Sequence, residues 1–147
     1  MAREGIHSAR MGDYENGFVL LGDVCDRYRA SGAKIPAPVV SYYGLCMAMH
    51  KERYREAAQF CQAAIDTEPF KADYYANLAH VCAAGKIRRK AIIAIQRGLA
   101  IEPENERLLR LQSRLGMRRP PVVPFLDRSN PINILLGRLR HSASKST

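Results

Sequence analysis

Residues 57–69 read Ala57-Ala58-Gln59-Phe60-Cys61-Gln62-Ala63-Ala64-Ile65-Asp66-Thr67-Glu68-Pro69, and residues 91–103 answer them as Ala91-Ile92-Ile93-Ala94-Ile95-Gln96-Arg97-Gly98-Leu99-Ala100-Ile101-Glu102-Pro103. Ala57 falls on Ala91, Ala64 on Gly98, Ile65 on Leu99 and Pro69 on Pro103. Extended backwards, the match makes residues 38–71 and 72–105 two copies of one 34-residue unit. Each unit reads as two helices with a turn between them. A period of about 34 residues signals stacked helical hairpins, in which no hairpin can bury its apolar face alone. Such stacks present a surface and seldom build a catalytic pocket.

Outward from the repeat, helices are expected over 39–50 and 54–67 with Lys51-Glu52-Arg53 as the turn, and over 72–84 and 88–101 with Gly85-Lys86 between them. Pro69 and Pro103 sit just past helix ends, where the ring stops a helix without clashing inside it. Before the repeats, 3–11 and 14–30 read as a degenerate hairpin. The longer of these helices carries Phe18, Leu21, Val24, Cys25 and Tyr28 at a spacing that gives one apolar face. After the repeats, a helix over about 105–115 carries Leu108, Leu109, Leu111 and Leu115 and stops at Gly116, a residue suited to the left-handed turn after a helix. It reads as the cap that a repeat array needs. Arg118-Arg119-Pro120-Pro121-Val122-Val123-Pro124 must then run extended. Asn130-Pro131 opens a final helix with Ile132, Leu135, Leu136 and Leu139 on one side. The expected organisation is therefore a degenerate hairpin (1–37), two repeats (38–71, 72–105), a capping helix (106–117) and a Pro-rich basic arm (118–147) whose short amphipathic helix spans about 131–140.

Hydrophobic residues make up 47% of the 147, enough for a continuous helix-on-helix core. The longest apolar runs, 18–21 and 91–95, fall far short of the ~20 residues that a membrane span requires. The N-terminus has no apolar signal-peptide core, which predicts a cytoplasmic protein; small size and arginine richness point to a bacterial one. Cys25, Cys46, Cys61 and Cys82 lie 21, 15 and 21 residues apart, each in an apolar helical stretch. That is not metal-site spacing, and the thiols read as small apolar fillers. The net charge of +9 is uneven: residues 1–105 carry 14 basic against 12 acidic groups, and residues 106–147 carry 9 against 2.

The hairpin at 72–105 resembles the tetratricopeptide repeat, through Tyr75, Leu78, Ala79 and Cys82 in its first helix and Ala91, Ile95, Gly98 and Pro103 in and after its second. The hairpin at 38–71 resembles it through Tyr54, Ala57, Cys61, Ala64 and Pro69. It departs at Gly44-Leu45, where the usual order is Leu-Gly, which leaves the register of that helix open by one residue. The first hairpin resembles the family only through Gly12-Asp13-Tyr14 and Gly17. The resemblance implies an all-α fold of stacked antiparallel hairpins wound into a right-handed superhelix. It also implies a non-catalytic module, an adaptor or scaffold, that binds a peptide or helix of a partner protein in a concave groove.

Carried over by position, that groove would hold Tyr42, Cys46, Met49, His50, Asp73, Asn77, His80 and Ala84; Cys46 and Met49 belong to the core instead if the register is shifted. The basic set with which some members of the family clamp a terminal carboxylate is not visible, since Asn77 alone does not supply it. Cys46, His50, Asp73 and His80 could be assembled on paper into a metal site or a Cys-His pair. No His-Glu-x-x-His, Gly-rich phosphate loop or nucleophile elbow supports catalysis, and no cofactor or metal is expected. The C-terminal helix has three readings: it packs on the last hairpin, it engages the groove of a neighbouring copy and so self-associates, or it belongs to a basic arm. A stripe of Arg107, Arg110, Arg114, Arg118 and Arg119 would serve an acidic partner or nucleic acid. Sparse aromatics disfavour nucleic acid.

Overall fold

A computed structural model of the chain describes residues 1–116. They form seven helices and, among the described residues, no strand: α1 (Ala2–Arg10), α2 (Tyr14–Ser31), α3 (Ala37–Lys51), α4 (Tyr54–Thr67), α5 (Ala72–Ala84), α6 (Arg88–Ile101) and α7 (Glu106–Arg114). The chain is all-helical here, as its periodicity predicts. The extended arm and the helix expected at about 131–140 lie outside the described residues, as do Arg118 and Arg119.

Local chemistry sets the helix ends. The Asp13 carboxylate accepts from the Asn16 amide at 3.3 Å to start α2, and the Asn105 side chain accepts from the Leu108 amide at 3.1 Å to start α7. Pro38 lies in the first turn of α3, where its missing N–H costs nothing. Gly116, with φ of 65°, follows α7 in the left-handed conformation expected of it.

Helices α1 and α2, α3 and α4, and α5 and α6 pack as pairs across the short turns at 11–13, 52–53 and 85–87. The odd-numbered helices touch one another in sequence, α1 to α3, α3 to α5 and α5 to α7. Each even helix also packs against the next odd one, α2 on α3, α4 on α5 and α6 on α7. Small residues permit the close crossings: Ala57, Ala79 and Ala91 are fully buried. Gly44 has the same role in α3, where an added Cβ would come within 2.9 Å of the Ala57 carbonyl oxygen. The small residue facing α4 is thus Gly44. By role it corresponds to Ala79 of α5, 35 residues on, while α4 and α6 begin 34 residues apart at Tyr54 and Arg88.

All four cysteines are free and buried. Burial raises each thiol above its ordinary value and takes Cys46 up to about 12. A thiol held protonated is a poor nucleophile and a poor metal ligand. Among the described residues no group of three His, Cys, Asp or Glu stands where it could hold a metal ion. No described helix is long and apolar enough to cross a membrane.

Candidate partner-binding groove

The row of odd helices is stitched by a polar ladder. Positions three or four apart share one side of a helix, and Asp73, Asn77 and His80 run along one side of α5. From α1, Arg10 donates through Nε to the Tyr42 hydroxyl of α3 at 2.9 Å and through Nη2 to Asp73 Oδ2 of α5 at 3.0 Å. Its guanidinium carbon lies 5.4 Å from the centre of the Tyr42 ring, within cation–π range. From α7, Arg107 donates through Nη2 to Asn77 Oδ1 at 2.7 Å, and its Nη1 lies 3.9 Å from Asp73 Oδ1. Asn77 Nδ2 in turn donates to Ser41 Oγ at 2.9 Å. Asp73 is therefore flanked by two guanidinium groups brought from opposite ends of the row. Arg107 Nη1 is buried without a hydrogen-bond partner among the described residues, so the ladder is incomplete at that atom.

At one end of this ladder a concavity of about 620 Å³ opens among the C-terminal end of α1, the first turns of α3 and α5 and the turn before α7. Arg10, Tyr42 and Asp73 contribute its polar part, and Ile6, Phe70 and Ile101 its apolar part. Phe70, in the turn between α4 and α5, is 82% exposed. A benzyl group left this open gains nothing for folding and is free to be buried by something else. On the same rim, the Tyr74 hydroxyl donates to Glu68 Oε2 at 3.0 Å. Burial, and then that carboxylate, push the Tyr74 phenol above its ordinary value.

The structure divides the residues that the sequence nominates for a groove. Tyr42, Asp73, Asn77 and His80 lie on the α3–α5–α7 seam with Arg107. Asn77 and Tyr42 are both fully buried; both act by holding the ladder rather than by presenting area. Cys46 is 0% exposed and points at Gly17 of α2, where an added Cβ would meet its sulfur at 2.8 Å. It fills a helix crossing and offers a partner no surface, which corrects its nomination. His50 turns the same way, its ring 5.7 Å from that of Phe18 of α2, which is itself stacked on Tyr43. Met49 and Ala84 are half-buried near the C-terminal ends of α3 and α5.

The basic stripe is divided too. Arg107 is drawn into the ladder, Arg110 lies 3.5 Å from Glu106 one turn away, and Arg114 is exposed. Sequence reasoning missed Arg10, Ser41 and Phe70. Phe70 leaves a signal, a large apolar residue in a turn where the next repeat has Glu104. Arg10 leaves none, because its carboxylate partner is 63 residues away.

His80 carries a pH dependence. Burial first, then the charges of Arg107 and Arg114, lower its imidazole below the ordinary 6.5. As pH falls through 6.5 the unfolded chain takes up a proton that the folded chain resists, so stability declines until the lowered folded value is passed. Denaturant midpoints measured between about pH 7.5 and pH 5.5 should fall in the wild-type chain and fall less in His80→Gln. Equal slopes for the two proteins would show that His80 is not the group responsible.

No protein-family model matches the chain, and a search of curated proteins finds no match to it.

Proposed function

We propose that the chain is a tetratricopeptide-type interaction module, in which the row of odd helices lines the concave face of a right-handed superhelix and docks a segment of a partner protein without catalysis. The observation that carries this reading is Phe70, open to solvent on the rim of a concavity beside the Arg10–Tyr42–Asp73 cluster. The packing order among the described residues supports it: odd helices touch one another while even helices touch only odd ones, the order expected of a stack that curves around its odd row. An apolar side chain of the partner would bury against Phe70, Ile6 and Ile101. Backbone groups of the segment would find donors and acceptors on Arg10 and Asp73, whose rotamers the ladder already restricts, so that little ordering entropy is left to lose on binding.

Phe70→Ala tests this directly, because a residue so exposed can be truncated without disturbing the core. Affinity capture with the full chain at physiological salt should lose its partner roughly 10–30-fold in the variant, the effect of truncating one aromatic anchor. Far-UV circular dichroism should stay unchanged. A capture profile identical for both proteins would count against the groove.

A further inference from the structure

We propose that the outer face of α6 is a second docking surface, for an acidic protein segment with an aliphatic anchor. The internal repeat provides the comparison. Helices α4 and α6 begin and end 34 residues apart, so their solvent-facing positions correspond one to one. In α4 the outward stripe is Arg55, Glu56, Gln59, Ala63 and Asp66; in α6 the same places hold Arg89, Lys90, Ile93, Arg97 and Ala100. One cation and two carboxylates become three cations and no carboxylate, and a central glutamine becomes isoleucine. The buried sides, by contrast, keep their small and apolar character: Ala57, Ala58, Cys61, Ala64 and Ile65 against Ala91, Ala94, Ile95 and Gly98. Packing therefore does not call for the change.

Helix electrostatics oppose it. Arg89 and Lys90 stand in the first turn of α6, where the dipole favours carboxylates and where α4 has Glu56. Among the described residues none of Arg89, Lys90 and Arg97 lies within ion-pairing distance of a carboxylate. Three uncompensated cations thus ring Ile93, which is 39% exposed.

The five positions fall within about 100° of arc on the helix, so they form one stripe. Arg89 and Arg97 are two turns apart, about 12 Å. They fit a partner with carboxylates at that separation, one pair per guanidinium fork, and a Leu, Ile or Val side chain between them to cover Ile93. Nucleic acid fits less well: phosphates bury nothing on Ile93, and the stripe has no aromatic ring on which a base could stack. A single isoleucine is also far narrower than the apolar face with which interfacial helices enter a bilayer. This surface is distinct from the concavity beside Phe70 and does not depend on it.

A display library of random 16-residue peptides, panned against the immobilised full-length protein, tests the proposal. Enriched peptides are expected to carry Asp or Glu on both sides of an aliphatic residue. They should bind at least 10-fold more weakly to Ile93→Gln, which installs the α4 residue, and to Arg89→Glu/Arg97→Glu. Arg55→Glu on α4 and Phe70→Ala should leave their binding unchanged, and thermal melts show that each variant folds. The proposal is overturned if no acidic peptide is enriched, or if enriched peptides are lost with Phe70→Ala but not with Ile93→Gln, which would place them in the groove. It is equally overturned if a 20-base-pair DNA duplex, or vesicles containing phosphatidylserine, bind more tightly than the peptides and ignore Ile93→Gln.

Discussion

Asn77→Ala is expected to lower the unfolding free energy by about 3 kcal/mol, a large part of what a domain of this size possesses. Asn77 is fully buried and uses both ends of its amide, giving to Ser41 Oγ and accepting from Arg107 Nη2. Alanine strands both partners at once. Ser41 is also fully buried, and an unsatisfied buried hydroxyl costs ~1–3 kcal/mol. Arg107 loses its 2.7 Å acceptor while one of its terminal nitrogens already lacks a partner. A small void adds to the loss.

The substitution also discriminates between a ladder and a set of separate contacts. If Ser41, Asn77 and Arg107 act as one unit, Ser41→Ala combined with Asn77→Ala costs less than the sum of the two, by ~0.5–3 kcal/mol, because the double variant leaves fewer groups stranded. Guanidinium-chloride unfolding of the four proteins measures this. Strict additivity, or an Asn77→Ala protein within ~0.5 kcal/mol of wild type, would mean that water satisfies these atoms and that the ladder is not rigid.

The same central helices explain what the sequence makes legible and what it hides. Helix positions are legible because apolar spacing, Pro69, Pro103, Asn105 and Gly116 are local signals. The facing of α3 and α5 is not. α3 touches α1, α2, α4 and α5, and α5 touches α3, α4, α6 and α7, so almost every side of each is covered and both read as apolar all round. In such a helix the spacing shows which residues share a side, but not which neighbour that side meets. Tyr42, Asp73, Asn77 and His80 share a seam that spacing on α5 anticipates in part. Cys46 and His50 turn to α2 because Gly17 and Phe18 receive them there, a fact written in another segment of the chain. Arg107, expected on a basic stripe for an acidic partner or nucleic acid, is drawn inward by Asp73 and Asn77, about 30 residues earlier in sequence. Phe70 escaped attention because turns are read for glycine and proline, although its exposure is what makes it informative.

Gly98→Val is expected to cost about 3 kcal/mol and to act first on α7. An added Cβ at residue 98 would lie 2.5 Å from Leu108 Cδ1 and 2.9 Å from Tyr75 Cβ. Leu108 is fully buried and has little room to turn away, and Tyr75 Cβ is tied to the α5 backbone. A branched side chain therefore drives α6 from both neighbours, and the helical propensity recovered on replacing glycine, at most ~1 kcal/mol, does not offset that. The weaker contact should yield: α7 is short and, among the described residues, packs on α5 and α6 alone. Hydrogen exchange at α7 amides should accelerate well before that of α3 and α5. Release of α7 would take Arg107 from Asn77 and Asp73 and so loosen the ladder from its far end. Gly22→Ala is the opposite case, since a Cβ there meets only Tyr43 Cε2 at an ordinary 3.6 Å. In the interior of α2 it should stabilise the protein by about 0.5–1 kcal/mol. If both glycine substitutions stabilised the protein, helical propensity rather than close packing would be governing the stack, and the close approach of α6 to α5 and α7 would not be what sets its geometry.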